Sequence, residues 1–130
     1  MKISILIFLL NFQNVIHAAE VVDIANAEAV VETKVKNGKI EFSVLPTKGT
    51  HLNFDGPWQL TVEGAVPVSD EKFKSLKSDD FDKTKNQFLI PLQAKADTKK
   101  IDGQYKLVYF LCGDDNKWCK RNQKSGTLKF

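Results

Sequence analysis

Apolar and polar residues alternate in short runs, turn signals recur about every ten residues, and no stretch has the length and 3.6-residue period of a packing helix. Together these observations predict an all-β fold: a single domain of seven or eight short strands, arranged as an antiparallel immunoglobulin-like β-sandwich. Composition agrees. Of 130 residues, 27% are charged and 42% hydrophobic, too apolar for a disordered tail and too charged for a membrane bundle.

The first segment reads as an address. Met1-Lys2 is a short basic start, Ile3 to Leu10 is a compact apolar run, and Ala18-Ala19 supplies small residues ahead of Glu20. The run is shorter than the roughly 20 residues a membrane-spanning helix needs, so residues 1–18 are expected to be a cleaved secretory signal. Cleavage after Ala18 leaves 112 of the 130 residues and removes Lys2 but no acid, so the formal charge of +3 becomes +2. Residues 19–130 are then expected to form the exported domain, periplasmic or secreted and not membrane-spanning, in a compartment where disulfides persist.

The strands follow in order. Val31, Thr33 and Val35 alternate with Glu32 and Lys34, Asn37-Gly38 intervenes, and Ile40, Phe42 and Val44 alternate with Glu41 and Ser43. Asn-Gly between two alternating runs specifies a two-residue hairpin, because both residues tolerate positive φ. The register then pairs Val35 with Ile40, Thr33 with Phe42 and Val31 with Val44, with all six on one face. Pro46 to Gly49 is a turn, His51 to Phe54 a short strand, and Asp55-Gly56-Pro57 another turn before a strand with Trp58, Leu60 and Val62 on one face. Ser69 to Lys85 is polar and lysine-rich, and a helical turn or a long loop both fit it. Phe88, Ile90, Leu92 and Ala94 alternate again. Asp102-Gly103 turns the chain into Tyr105 to Cys112, which is apolar on both faces and so suits a central strand. Gly113 to Lys117 is a polar turn, and Thr127 to Phe130 a last short strand.

Few chemistries survive this inventory. The mature chain keeps one histidine, His51, which is too little for a hydrolytic triad or a multi-histidine metal site and reads as a polar residue at a strand start. Asp79, Asp80 and Asp82 lack the glycine and distal glutamate of a calcium loop. Lys72, Lys74 and Lys77 are balanced by Asp70, Glu71, Asp79 and Asp80, so no single-sign stripe indicates a nucleic-acid partner. Phosphate-binding glycine loops are absent, and no cofactor or metal is expected.

Cys112 and Cys119 remain, with Gly113 to Trp118 between them. Two strands joined by such a turn can bring their Cα atoms within the roughly 4.4–6.8 Å that a disulfide demands. As a staple the pair would be weak, because closing a loop of about eight residues is worth only about 2.5 kcal/mol. A domain of this size can also bury a sufficient core without a staple. Lys117, Lys120 and Arg121 beside Cys119 favour a thiolate there, whereas Asp114 and Asp115 disfavour one at Cys112. The residues alone leave a redox-exchanging pair and a structural hairpin disulfide both open.

The stretches Asp70-Glu71-Lys72-Phe73, Phe88-Leu89-Ile90-Pro91-Leu92, Gly103 to Cys112, Asp115 and Trp118-Cys119 resemble the N-terminal periplasmic domain of the thiol:disulfide interchange protein DsbD. The likeness spans roughly residues 38–130 and is most distinctive in the cysteine hairpin and the strand leading into it. It implies an immunoglobulin-like domain that relays electrons: Cys119 forms the mixed disulfide, Cys112 resolves it, and Phe73 with Asp70 and Glu71 caps the sulfurs. Trp118 stands where the family places an aromatic residue directly before its second cysteine, and so falls among the implied cap and partner-binding residues. The implied partners are periplasmic thioredoxin-fold proteins and a separate membrane electron donor. The spacing between the cysteines is one residue longer than in the family, Lys120-Arg121 replaces an aromatic-proline run, and His51 or Asn53 stands at the family's tyrosine positions. The alternative is a non-catalytic secreted β-sandwich that binds a protein or an envelope component, its cysteines a structural staple.

Overall fold

A computed structural model describes residues 23–130; the expected signal peptide, residues 1–18, lies outside them. The strands are β1 (Val30–Lys36), β2 (Lys39–Leu45), β3 (Thr50–Asn53), β4 (Gln59–Ala65), β5 (Ser75–Lys77), β6 (Gln87–Pro91), β7 (Asp102–Gly113) and β8 (Cys119–Lys129), with short 3₁₀ turns at Glu71–Lys74, Ser78–Asp80 and Thr98–Lys100. All pairings between these strands are antiparallel. One sheet has the order β1-β2-β6, and the other is five-stranded and built around β7. The described chain is therefore an all-β, sandwich-like domain of two sheets.

The first hairpin forms in the expected register, with Val35 opposite Ile40, Thr33 opposite Phe42 and Val31 opposite Val44. Asn37 and Gly38 take φ of 54° and 73°, the left-handed values a tight hairpin turn requires. The long strand β7 organises the second sheet. Along one edge it pairs with β8 from Asp102↔Lys129 to Cys112↔Cys119. Along its other edge β4 covers Asp102 to Val108 and β3 covers Phe110 to Gly113. Thus β3 and β4 are two pieces of one interrupted strand, and the chain keeps its direction through Asp55-Gly56-Pro57 instead of reversing there. The excursion is tied at its base by the Trp58 indole N–H, which donates to the Asn53 carbonyl at 2.7 Å. Gly56 lies against the Phe110 ring, and a Cβ there would stand 2.5 Å from it.

The core lies between the sheets. Ile40, Phe42, Val44, Phe88 and Ile90 of the smaller sheet pack with Leu60, Val62, Tyr105, Leu107, Tyr109, Leu111 and Leu128 of the larger. Trp58 is 1% exposed and sits among Phe54, Phe81, Phe88 and Tyr109, its ring 4.8–6.4 Å from theirs. On β7 the alternation places Tyr105, Leu107, Tyr109 and Leu111 on the core face, and Lys106, Val108, Phe110 and Cys112 on the outer face.

Three local expectations change, and one left open takes a definite form. Thr127 is not the start of the last strand: β8 begins at Cys119, because the long free edge of β7 offers hydrogen bonds to a segment too polar to signal a strand by itself. Asp102-Gly103 is already within β7, and Gly103 serves close approach, since a Cβ there would meet the Glu63 carbonyl at 2.5 Å. Ala94 leaves the alternating run for an exposed turn after Leu92. Finally, the ambiguous Ser69–Lys85 segment divides into two 3₁₀ turns and the three-residue β5, with Leu76 and Phe81 buried.

Candidate functional site

The two cysteines face one another at the end of the β7–β8 ladder and form a disulfide, with Cα atoms 4.1 Å apart. One step further the Gly113 N–H donates to the Trp118 carbonyl at 3.1 Å, so Cys112 and Cys119 occupy a non-hydrogen-bonded position, where facing Cα atoms approach to ~4.5 Å. The sheet register thus sets the spacing, slightly inside the range expected for a free-standing cystine. The bond lies on the outer face of the larger sheet, outside the core cluster. Its sulfurs differ in access: Cys112 is 2% exposed, whereas Cys119 is solvent-exposed on an edge strand.

The residues around the pair follow from register and alternation. His51 stands directly opposite Cys112 on β3, so His51, Cys112 and Cys119 form one row across three strands on the same face. The next row is Asn53, Phe110 and Arg121. The His51 ring is anchored by Asp114 from the β7–β8 turn, with Nδ1 and Oδ1 3.1 Å apart. The turn itself is held to the start of β3 by the Asp114 N–H, which donates to the Gly49 carbonyl at 3.0 Å. Asp115 accepts from the Lys117 N–H and so is engaged within the turn.

This arrangement redistributes the charges that the linear sequence assigned to the cysteines. Arg121 shares the outer face with Cys119, two residues along β8. Lys120 points the other way, its Nζ donating to the carbonyls of Ile24, Ala25 and Ala27 at 2.7–3.3 Å. Lys120 therefore secures the N-terminal segment to β8 and leaves Arg121 as the cation next to Cys119 on that face of the strand. Tyr109 and Asn122 complete the attachment: the Ala29 N–H and the Asn122 amide both donate to the Tyr109 hydroxyl, and Asn122 also donates to the Ala27 carbonyl.

The remaining candidate residues lie elsewhere. Asp70 accepts from the Lys72 N–H, Glu71 approaches Lys74 at 3.5 Å, and Phe73 packs on the core with the Lys72 ammonium 5.2 Å from its ring centroid. This turn packs against β4, β5 and β6, just before Ser75, which lies level with Thr61 and Lys106. Six residues of β7 separate Lys106 from Cys112, ~20 Å at strand rise, so Asp70, Glu71 and Phe73 sit at the other end of the sheet from the sulfurs. Trp118 alternates onto the core face, where its indole covers Gly113 and closes the end of the core. His51, read from the sequence as an ordinary strand residue, is the neighbour that sequence reasoning discounted. Its signal was the strand pairing, which a lone histidine does not announce.

Among the described residues, no group of three or more His, Cys, Asp or Glu side chains is placed to hold a metal ion. No described helix is long and apolar enough to cross a membrane. Comparison with known proteins yields no matching family model, no matching curated protein and no matching solved structure.

Proposed function

We propose that this chain is an exported thiol–disulfide relay domain that exchanges electrons with periplasmic thioredoxin-fold partners through Cys119 and Cys112. The observation that carries this reading is the asymmetry of the pair: one cysteine exposed on an edge strand, the other buried beside it. Exchange requires access for a partner at one sulfur and protection of the other from wrong partners, and both conditions follow from the placement on β8 and β7. Arg121 on the face of Cys119 favours a thiolate there. A separate membrane protein would supply the electrons, as the DsbD likeness implies.

We read the fold as immunoglobulin-like. The order β1-β2-β6 opposite β8-β7-β4-β5 follows the A-B-E and G-F-C-C′ order of such domains, and Trp58, directly before β4, occupies the place of their buried tryptophan. A second reading, a non-catalytic binding domain with a structural cystine, draws support from the position of the bond at the turn end of the hairpin, where it would prevent fraying.

Trapping separates the two. A Cys112→Ala variant expressed in its native envelope is expected to accumulate mixed disulfides through Cys119 with thioredoxin-fold proteins. The relay reading fails if no mixed disulfide forms and the isolated pair has a reduction potential below about −300 mV, where structural disulfides lie.

A further inference from the structure

We propose that His51, held by Asp114, is the proton partner of Cys112; this rests on the relay reading of the site. The need arises from burial. Cys112 is 2% exposed, and burial disfavours its thiolate, yet a resolving cysteine must become a thiolate to attack. Pairing with β3 puts His51 directly opposite, which places the two Cβ atoms about 4.5–5.5 Å apart on the outer face. Asp114 Oδ1 stands 3.1 Å from Nδ1 of the ring and engages that nitrogen, which leaves Nε2 for exchange of a proton.

The other charged groups around His51 do not fill this role. Asp114 on the turn and Asp55 after β3, which is bonded to Asn53, are acids that oppose thiolate formation. Arg121 on β8 stands one strand further away, two residues from Cys119. The sheet therefore gives each cysteine its own basic neighbour, Arg121 for Cys119 and the His51 ring for Cys112.

The chemistry balances as follows. The Cys119 thiolate attacks one sulfur of a partner disulfide, forming a mixed disulfide and releasing the partner's other sulfur as a thiolate. Cys112 passes its thiol proton to the His51 ring, and the resulting thiolate attacks Cys119 Sγ. The Cys112–Cys119 bond forms, the mixed disulfide breaks, and the second partner sulfur departs with the electron pair. Two electrons have passed to the partner, and the proton on His51 leaves to solvent or to the departing thiolate.

The test isolates Cys112. In a Cys119→Ala background, the ultraviolet absorbance of the thiolate is followed against pH with His51 present and with His51→Gln. Removing His51 is expected to move half-ionisation of Cys112 upward by about one unit, ~tenfold less thiolate at neutral pH. With both cysteines present, His51→Gln is expected to slow resolution of a mixed disulfide with glutathione about tenfold at neutral pH. That gap closes in alkali, where Cys112 ionises unaided, a pH signature that a packing role for His51 would not produce. Coincident Cys112 titration curves in variants whose circular dichroism is native would overturn the assignment. Because the titration needs no partner, it decides the role of His51 even if trapping shows that the domain relays no electrons.

Discussion

Reduction of the cystine offers a quantitative test of what the bond is for. The cysteines are separated by 7 in sequence, and their strands are paired continuously from Asp102↔Lys129 to Cys112↔Cys119, so the hairpin is closed by its ladder with or without the bond. The bond then removes from the unfolded chain only the freedom of a loop of about eight residues, worth about 2.5 kcal/mol at 25 °C. By thermodynamic linkage, that difference is the same quantity as the gap between the reduction potentials of the folded and unfolded pair. At ~30 mV for each 1.4 kcal/mol, the folded pair should lie about 55 mV below the unfolded one. Equilibrium urea unfolding of the oxidised and reduced domain measures the first quantity, and glutathione equilibration in native and denaturing buffer measures the second. The two are expected to agree, with the reduced domain folded. A loss on reduction above about 5 kcal/mol, or an unfolded reduced domain, would refute the reasoning, because the bond would then hold together more structure than one hairpin end.

Three further outcomes follow from the packing. Trp58→Ala empties the centre of the aromatic cluster and removes the N–H that closes the Asp55–Pro57 excursion, so denaturant unfolding should register a loss of about 3–5 kcal/mol. Tyr109→Phe strips the acceptor from two buried donors, the Ala29 N–H and the Asn122 amide, at a cost of about 1–3 kcal/mol. Amide hydrogen exchange should accelerate at Ala29 in that variant, while the β1–β2 hairpin keeps its protection. Burial raises the Tyr105 hydroxyl above its ordinary range. A raised acid contributes stability that is fully present below the unfolded value near 10 and is lost as pH rises through the folded one. Unfolding midpoints measured in alkali should therefore fall with pH in the parent domain and more gently in Tyr105→Phe.

The elements that were legible in advance are those whose signals are local. The Asn37-Gly38 hairpin has its turn chemistry and both apolar faces within fifteen residues, so its register could be written down pair by pair. Tyr105 to Cys112 is apolar on both faces and could only be a covered strand. Residues 120–126 carry no such signal. Their polar sequence becomes strand because β7 leaves an edge of backbone donors and acceptors to be satisfied, and the exposed side chains along β8 are compatible with that edge. The Asp55-Gly56-Pro57 motif left its course open for a related reason: turn residues mark a departure from regular backbone but not whether the chain reverses or resumes its course.

The candidate site divides along the same line. Two cysteines seven residues apart around a polar turn, in a domain large enough to fold without them, were evident as a candidate disulfide pair from residue identity and spacing alone. Tertiary structure decided which sulfur is open and which is covered, because exposure depends on the strand alternation and on what packs over each face. It also turned Lys120 away to the N-terminal carbonyls, set Asp70, Glu71 and Phe73 at the far end of the sheet, and brought His51 opposite Cys112 across some sixty residues of chain. Composition and spacing specify which groups a chain can bring to a site. Which of them meet is determined by strand pairing, a long-range interaction between backbones that no single segment encodes.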